Sequence, residues 1–242
     1  MHDNTVLFVT DVCIPNVWQT IETNFNDRLY VCLSAPSGAL PVQQAINTNY
    51  YNIIQLSQGN YTLPALANEI QTQSRTIVNS MSYNPGVTFN VTYDALKNSL
   101  TITLSGRNCT FRLLTDYEAQ QKLDHVTLSQ ITWNGASFDP NNLRSANGVL
   151  SFVDQVNLST SWTSGFVNMN HINNIYITSP NLGSFDTLAS FSNNIIKKVP
   201  VTGNYGYMII DQYMSSNDFL NCSRQTLRTL EFHLRDGRGN EI

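Results

Sequence analysis

The sequence predicts a mainly β protein: a β-sandwich, of jelly-roll type or otherwise, with an inserted β-α-β-β unit that carries one strong helix. Three observations predict it. Short runs of alternating apolar residues recur along the chain with turn signals between them, the pattern of an antiparallel sandwich or barrel. Only Thr62 to Met81 strongly repeats apolar residues at helical spacing. At 242 residues, 41% of them apolar, the chain can bury a sizeable core. It shows no fixed-period repeat and no low-complexity linker, so it reads as a single β-rich domain over 1–242 with the inserted unit at about 50–105.

The elements follow in order. "TVLFVTDVCI" reads as a strand ending at Pro15, "VWQTIE" as a second short strand and "DRLYVCLS" as a third, with "APSGALP" a loop. "YYNIIQL" opens the inserted unit. Thr62 then has the hydroxyl of an N-cap, and Pro64 falls in the first helical turn, where a missing N–H costs nothing. Leu63, Leu66, Ile70, Ile77 and Met81 form one apolar stripe. Asn84-Pro85-Gly86 stops the helix. The period then changes to two: Val87, Phe89, Val91 and Tyr93, then Leu100, Ile102 and Leu104, are half-buried strands joined by "DALKN". Gly59 is a lone glycine at a strand-to-helix turn, too few for a phosphate loop. "CTFRLLTDYEAQQKLD" is a short strand running into a brief helix from Asp116, and "ITWNGASFDPNNLRSANG" is loop-rich. Further strands are expected in "SGFVNMNHINNIYIT", "NIIKKVPV", "GYMIIDQY" and "LRTLEFHLRD", the last with Leu227, Leu230, Phe232 and Leu234 on its apolar face and followed by a hairpin turn at "DGRGNE".

Charged residues are only 12% of the chain, against about 25% in an average soluble domain. Asn, Gln, Ser and Thr replace them. An uncharged polar surface repels neighbouring copies weakly and is desolvated cheaply against another subunit. The net charge of −4 argues against a nucleic-acid groove. Lys197 and Lys198, the one adjacent basic pair, read as a solvated strand end. No apolar run reaches the ~18 residues of a membrane span, and "MHDNTVLFVTDV" lacks the features of an export signal. Cys13, Cys32, Cys109 and Cys222 show no C-x-x-C spacing and are expected as buried free thiols. The N-x-S/T triplets at Asn60, Asn90, Asn108, Asn157 and Asn221 are what chance gives in so Asn- and Thr-rich a chain.

None of His2, His125, His171 and His233 sits in a metal-binding spacing. His125 follows Asp124, but adjacent side chains on a strand point to opposite faces, so the two are not expected to act together. His233 is expected on the outward face of its strand. Asp11, Asp27, Asp94, Asp139, Asp154, Asp186 and Asp218 are single and loop-borne. No nucleophile elbow, cysteine signature or dinucleotide fingerprint is present, so neither enzyme activity nor a cofactor or metal is expected. Two tryptophans stand out. Trp133 in "TWNGAS" and Trp162 in "STSWTSG" lie among small polar residues, where an exposed indole stacks on a sugar or anchors an interface; the alternative is that each folds back over the sandwich edge. Trp18 reads as core.

The strings "IPNVWQTIETNFNDRLYV", "LSQGNYTLPALANEI" and "VTFNVTYDALKNSLTITL" resemble an arrangement found in minor virion proteins of large eukaryotic DNA viruses, virophages and polinton-like viruses. There an opening strand is followed by a G-N-Y helix start and a V-T-Y-D hairpin. "INNIYITSPNLGS", "NNIIKKVPVTGNYG" and the closing "LRTLEFHLRDGRGNEI" match as well, so the resemblance covers nearly the whole chain. It implies a minor capsid, penton-vertex or spike protein, located in the virion and assembling with itself and the major capsid protein, without a cofactor. Such proteins continue past this point with another apolar strand, so the end at Ile242 is expected either to continue or to bury against a neighbour. The rival reading is a carbohydrate- or receptor-binding attachment module that uses Trp133 and Trp162.

Overall fold

The computed structural model describes residues 6–34, 49–80, 87–106, 109–133, 138–170, 172–182, 195–212, 220–222, 229–237, 239 and 241–242. In chain order the strands are β1 (Val6–Leu7), β2 (Val12–Pro15), β3 (Arg28–Ser34) and β4 (Asn49–Gln55), then helix α1 (Leu63–Ser80). After it come β5 (Thr88–Asp94), β6 (Ser99–Ser105), β7 (Thr110–Leu113), helix α2 (Asp116–Gln121), β8 (Leu123–Asp124), β9 (Ser129–Gln130) and β10 (Ser161–Thr163). The remainder holds β11 (Asn174–Thr178), β12 (Ile195–Pro200), β13 (Met208–Asp211), β14 (Leu220–Asn221) and β15 (His233–Arg235). The protein is mainly β, with several antiparallel sheets and one long helix, an arrangement compatible with a sandwich carrying an inserted helical unit.

The chain divides into two compact units, Gln19–His171 and a second made of Met1–Trp18 with Ile172–Ile242. In the first, two three-stranded sheets, β4-β3-β7 and β10-β6-β5, enclose the main core. The segment at 159–163 joins them: Ser159 exchanges backbone hydrogen bonds with Phe111 on β7, and Ser161 to Thr163 pair with β6. α1 packs on β5 and β4, the strands at the two far edges. Its Leu66, Ile70 and Ile77 are buried with Leu29, Val31, Ile54, Phe89, Ile102 and Phe111. The helix starts as its residues dictate: Pro64 lies in the first turn, and the Thr62 carbonyl accepts from Leu66 N–H at 2.9 Å. Gln71 Oε1 accepts the Val91 N–H at 2.9 Å, bonding the helix to β5. Met81 and Asn84-Pro85-Gly86 lie outside the described residues, as does "APSGALP".

The outward faces of the two sheets differ. On β4-β3-β7 the face is apolar apart from Arg112, with Tyr30, Cys32, Tyr51 and Ile53, and residues from 114–158 cover it to make a second core. On β10-β6-β5 it is polar, with Thr88, Asn90, Thr92, Thr101, Thr103, Ser105, Ser161 and Thr163 exposed or half-buried, and charge enters at the end of β5, where Asp94 pairs with Lys97 at 3.7 Å. Cross-strand hydroxyl pairs knit that face, Thr88 to Ser105 at 2.7 Å and Thr101 to Thr163 at 3.0 Å.

The second unit holds the sheet β12-β11-β15 and the pairs β1-β14 and β2-β13, around Val12, Ile172, Ile175, Ile177, Val199 and Ile209. Trp18 packs half-buried on this core. "TVLFVTDVCI" therefore forms two short strands with different partners, β1 and β2, instead of one.

Two expected strands fail for physical reasons. "VWQTIE" makes only a single bridge, Ile21 to Gly59. Side chains intercept its backbone: Glu22 Oε1 accepts from Gln19 N–H at 2.9 Å and Asn26 Oδ1 from Glu22 N–H at 2.7 Å, a local alternative to a ladder. "LRTLEFHLRD" shrinks to His233–Arg235, with Leu230 and Phe232 exposed, so the expected continuous apolar face does not form; Leu227 is outside the described residues. Its partner β11 ends at Thr178, opposite His233, and Pro180 follows. Proline has no N–H to extend a ladder. The expected turn after it does form: Gly239 N–H bonds to Asp236, Gly239 has φ 89°, and Glu241 bridges back to Arg235.

Candidate functional site

The most concentrated chemistry among the described residues lies in the second core of the Gln19–His171 unit. β7 alternates, sending Phe111 and Leu113 into the main core. Arg112 points to the other face, opposite Cys32, and is fully buried. An unpaired guanidinium there is prohibitive. The chain supplies partners from the next two elements.

The first is Glu118. Thr115 caps α2 in a capping box: its side chain accepts from Glu118 N–H, while the Glu118 carboxylate accepts from Thr115 N–H at 2.9 Å. The box turns the carboxylate toward Arg112, which donates to both its oxygens, Nη2 to Oε1 at 2.6 Å and Nη1 to Oε2 at 3.2 Å. The second is Asp124 on β8, whose Oδ1 accepts from Arg112 Nη2 at 2.6 Å and from Val126 N–H at 2.9 Å. Its Oδ2 accepts from the Tyr51 hydroxyl at 3.1 Å. Arg112 Nη1 also donates to the Gln155 carbonyl at 3.1 Å. The Gln155 side chain in turn bonds Phe111 and Leu113 along β7, as a neighbouring strand would. Glu118 then receives His125, through its N–H at 3.3 Å and its ring Nδ1.

The electrostatics follow from this packing. Burial works to raise the Glu118 carboxyl, but Arg112, the Thr115 N–H and His125 outweigh it and hold it at about 2. Burial likewise opposes the Arg112 charge, and the two carboxylates hold its proton affinity above the ordinary value. The bond to Glu118 raises His125. Burial pushes Tyr51 up to about 12, and also raises the Cys32 thiol. Glu118, Asp124 and His125 place ligand-type atoms within 4.8 Å of one another. Arg112 supplies the positive charge between the carboxylates, and each carboxylate oxygen accepts a hydrogen bond, so the group is held together as an ion-pair cluster.

Asp124 and His125 do therefore belong to one cluster, because Arg112 bridges Asp124 to Glu118 and Glu118 also bonds His125. Sequence reasoning missed Arg112 and Glu118. The T-x-x-E spacing of Thr115 and Glu118 was the available signal, since it marks a capping box and fixes where that carboxylate points. The tryptophans lie elsewhere in the same unit. Trp162 is 5% exposed on β10, its Nε1–H donating to Val153 at 2.8 Å and its ring 5.5 Å from that of Phe152. Trp133 is half-buried in the second core, its ring 5.1 Å from Tyr30 and 5.2 Å from Phe138. His233 contacts Glu241 across the terminal turn at 3.2 Å, and Lys197 pairs with Asp211 at 3.5 Å. His2 and His171 lie outside the described residues.

No family model and no curated protein matches this sequence. Among solved structures, the crystal structure of the SeMet-labelled mavirus penton protein is similar over 99% of this chain and 79% of that one, at 11% identity and a TM-score of 0.47.

Proposed function

We propose that this chain is a structural protein of a virion, a minor capsid, penton-vertex or spike component that assembles with itself and with the major capsid protein. The observation that carries the reading is the motif resemblance running nearly the length of the chain. Its quoted segments fall on β3, on the start of α1 and on the β5–β6 hairpin, the framework of the larger unit. The hydroxyl- and amide-rich face of β10-β6-β5, whose charges are confined to Asp94 and Lys97 at the β5–β6 turn, supports it, because such groups desolvate against a neighbouring subunit at lower cost than charges. On this reading the chain is neither an enzyme nor a cofactor carrier, and the Arg112 cluster stiffens the scaffold. Assembly takes place inside the host cell.

Co-expression with the major capsid protein of the same virus, followed by sedimentation, tests the proposal. The two proteins are expected to sediment together, and Thr103→Lys, a charge in the middle of the open face, to reduce that association without altering the circular dichroism. A 27.2 kDa monomer that ignores the major capsid protein overturns the reading. Glycan binding lost in Trp133→Ala would then favour the attachment module.

A further inference from the structure

His125 is set between two acceptors on different parts of the larger unit. Its Nε2 lies 2.6 Å from the Val156 carbonyl, and its Nδ1 contacts Glu118. A neutral imidazole has one N–H, so it donates to one of these and turns a lone pair on the other. The imidazolium donates to both. Charge balance points the same way. The charged groups around the ring are Glu118 from α2, Arg112 from β7 and Asp124 from β8, while the segment at 155–156 contributes the Val156 carbonyl. Two carboxylates against one guanidinium leave a single negative charge, which a protonated His125 cancels.

The ribbon that carries the ring needs the support. β8 and β9 share only two residue pairs, Leu123 with Gln130 and Asp124 with Ser129, too few for a ribbon to hold itself together. The tip from His125 to Leu128 is exposed, and Leu128 sits at φ 49°, a costly conformation for its side chain. Asp124 anchors the base of the ribbon to Arg112. Thr127 Oγ1, at 3.1 Å from the Tyr51 hydroxyl, ties the inner side of the tip to β4, and among the described residues His125 is the one that carries it to Val156.

We propose that His125 is a proton-operated latch: protonated, it fastens the tip of the β8–β9 ribbon to the 155–156 segment, and deprotonated, it lets the tip go. Opening frees the covered parts of Val126 and Val156, beside the already exposed Leu128, to present a larger apolar surface. The bond to Glu118 raises the proton affinity of the ring, so the latch is closed below the ordinary histidine range and opens as pH rises through the raised value.

The test uses the full chain with labelled histidine, His125 being assigned by comparison with His125→Asn. Its ring is expected to titrate above the ordinary value near ~6.5. Amide protection over 123–131, corrected for intrinsic exchange, is expected to fall about tenfold per pH unit between that value and the raised one, then to level off. His125→Asn should remove this dependence, since an amide does not titrate. A ring midpoint at or below the ordinary value overturns the latch. So does protection that is independent of pH, or that keeps the same pH dependence in His125→Asn.

Discussion

A buried guanidinium needs its counter-charges, and the carboxylates around it need the guanidinium. Arg112→Met would remove the guanidinium between Glu118 and Asp124 and leave two buried carboxylates with at most the His125 ring to balance them. Losing one side of a buried ion pair costs about 3–5 kcal/mol, so urea unfolding should show a loss of that size, and a loss under ~1 kcal/mol would mean that the cluster is solvated. Acid should act through Glu118. Its folded value of about 2 lies below its ordinary 4.5, so its contribution is complete above 4.5 and disappears as pH falls toward 2. Urea midpoints measured between pH 5 and 2.5 should fall steadily, and should fall less in Glu118→Gln. The thiols are a third residue-scale case. Cys32, Cys109 and Cys222 are buried and Cys13 is exposed on β2, a departure from the expectation of four buried thiols. A thiol reagent should find one fast-reacting cysteine in the native protein and four after denaturation under non-reducing conditions. Fewer than four would mean disulfides. Beyond the T-x-x-E capping box of Thr115 and Glu118, the cluster was not legible at this scale, because its members lie 6, 12 and 13 residues from Arg112 and meet only when α2 and β8 fold back over β7.

At the scale of elements, legibility followed the period. α1 and the β5–β6 hairpin each carry one clean repeat, so their types and approximate positions could be read from the residues alone. β10 was missed because it is three residues long, yet Ser161, Trp162 and Thr163 already alternate polar, apolar, polar. β15 was overestimated because its length is set by Pro180, about fifty residues earlier in the chain, which no reading of "LRTLEFHLRD" by itself contains. The segment at 17–22 was misread because Glu22 and Asn26 satisfy backbone donors locally, and alternation alone does not reveal that. The packing of α1 gives a direct element-scale test. Ile70 is fully buried between the helix and the sheets, so Ile70→Ala should cost about 2–5 kcal/mol in a denaturant titration. A cost below ~0.5 kcal/mol is that of a surface position and would separate the helix from the core.

At the scale of the molecule, two compact units are built on one chain, with the larger formed by the middle of the sequence and the smaller by its two ends. The larger unit covers one sheet face with a second core and leaves the other as a lattice of hydroxyl and amide groups with charge at one end, at Asp94 and Lys97. That asymmetry gives a charge-poor chain a broad surface that a neighbour can cover. The central claim is that the neighbour is part of a virion. Quantitative mass spectrometry of purified, salt-washed virions of the source virus tests it most directly. The account predicts this chain at a fixed ratio to the major capsid protein, the same from one preparation to the next. Its absence from the particles, or an amount that falls with each wash, would contradict the account.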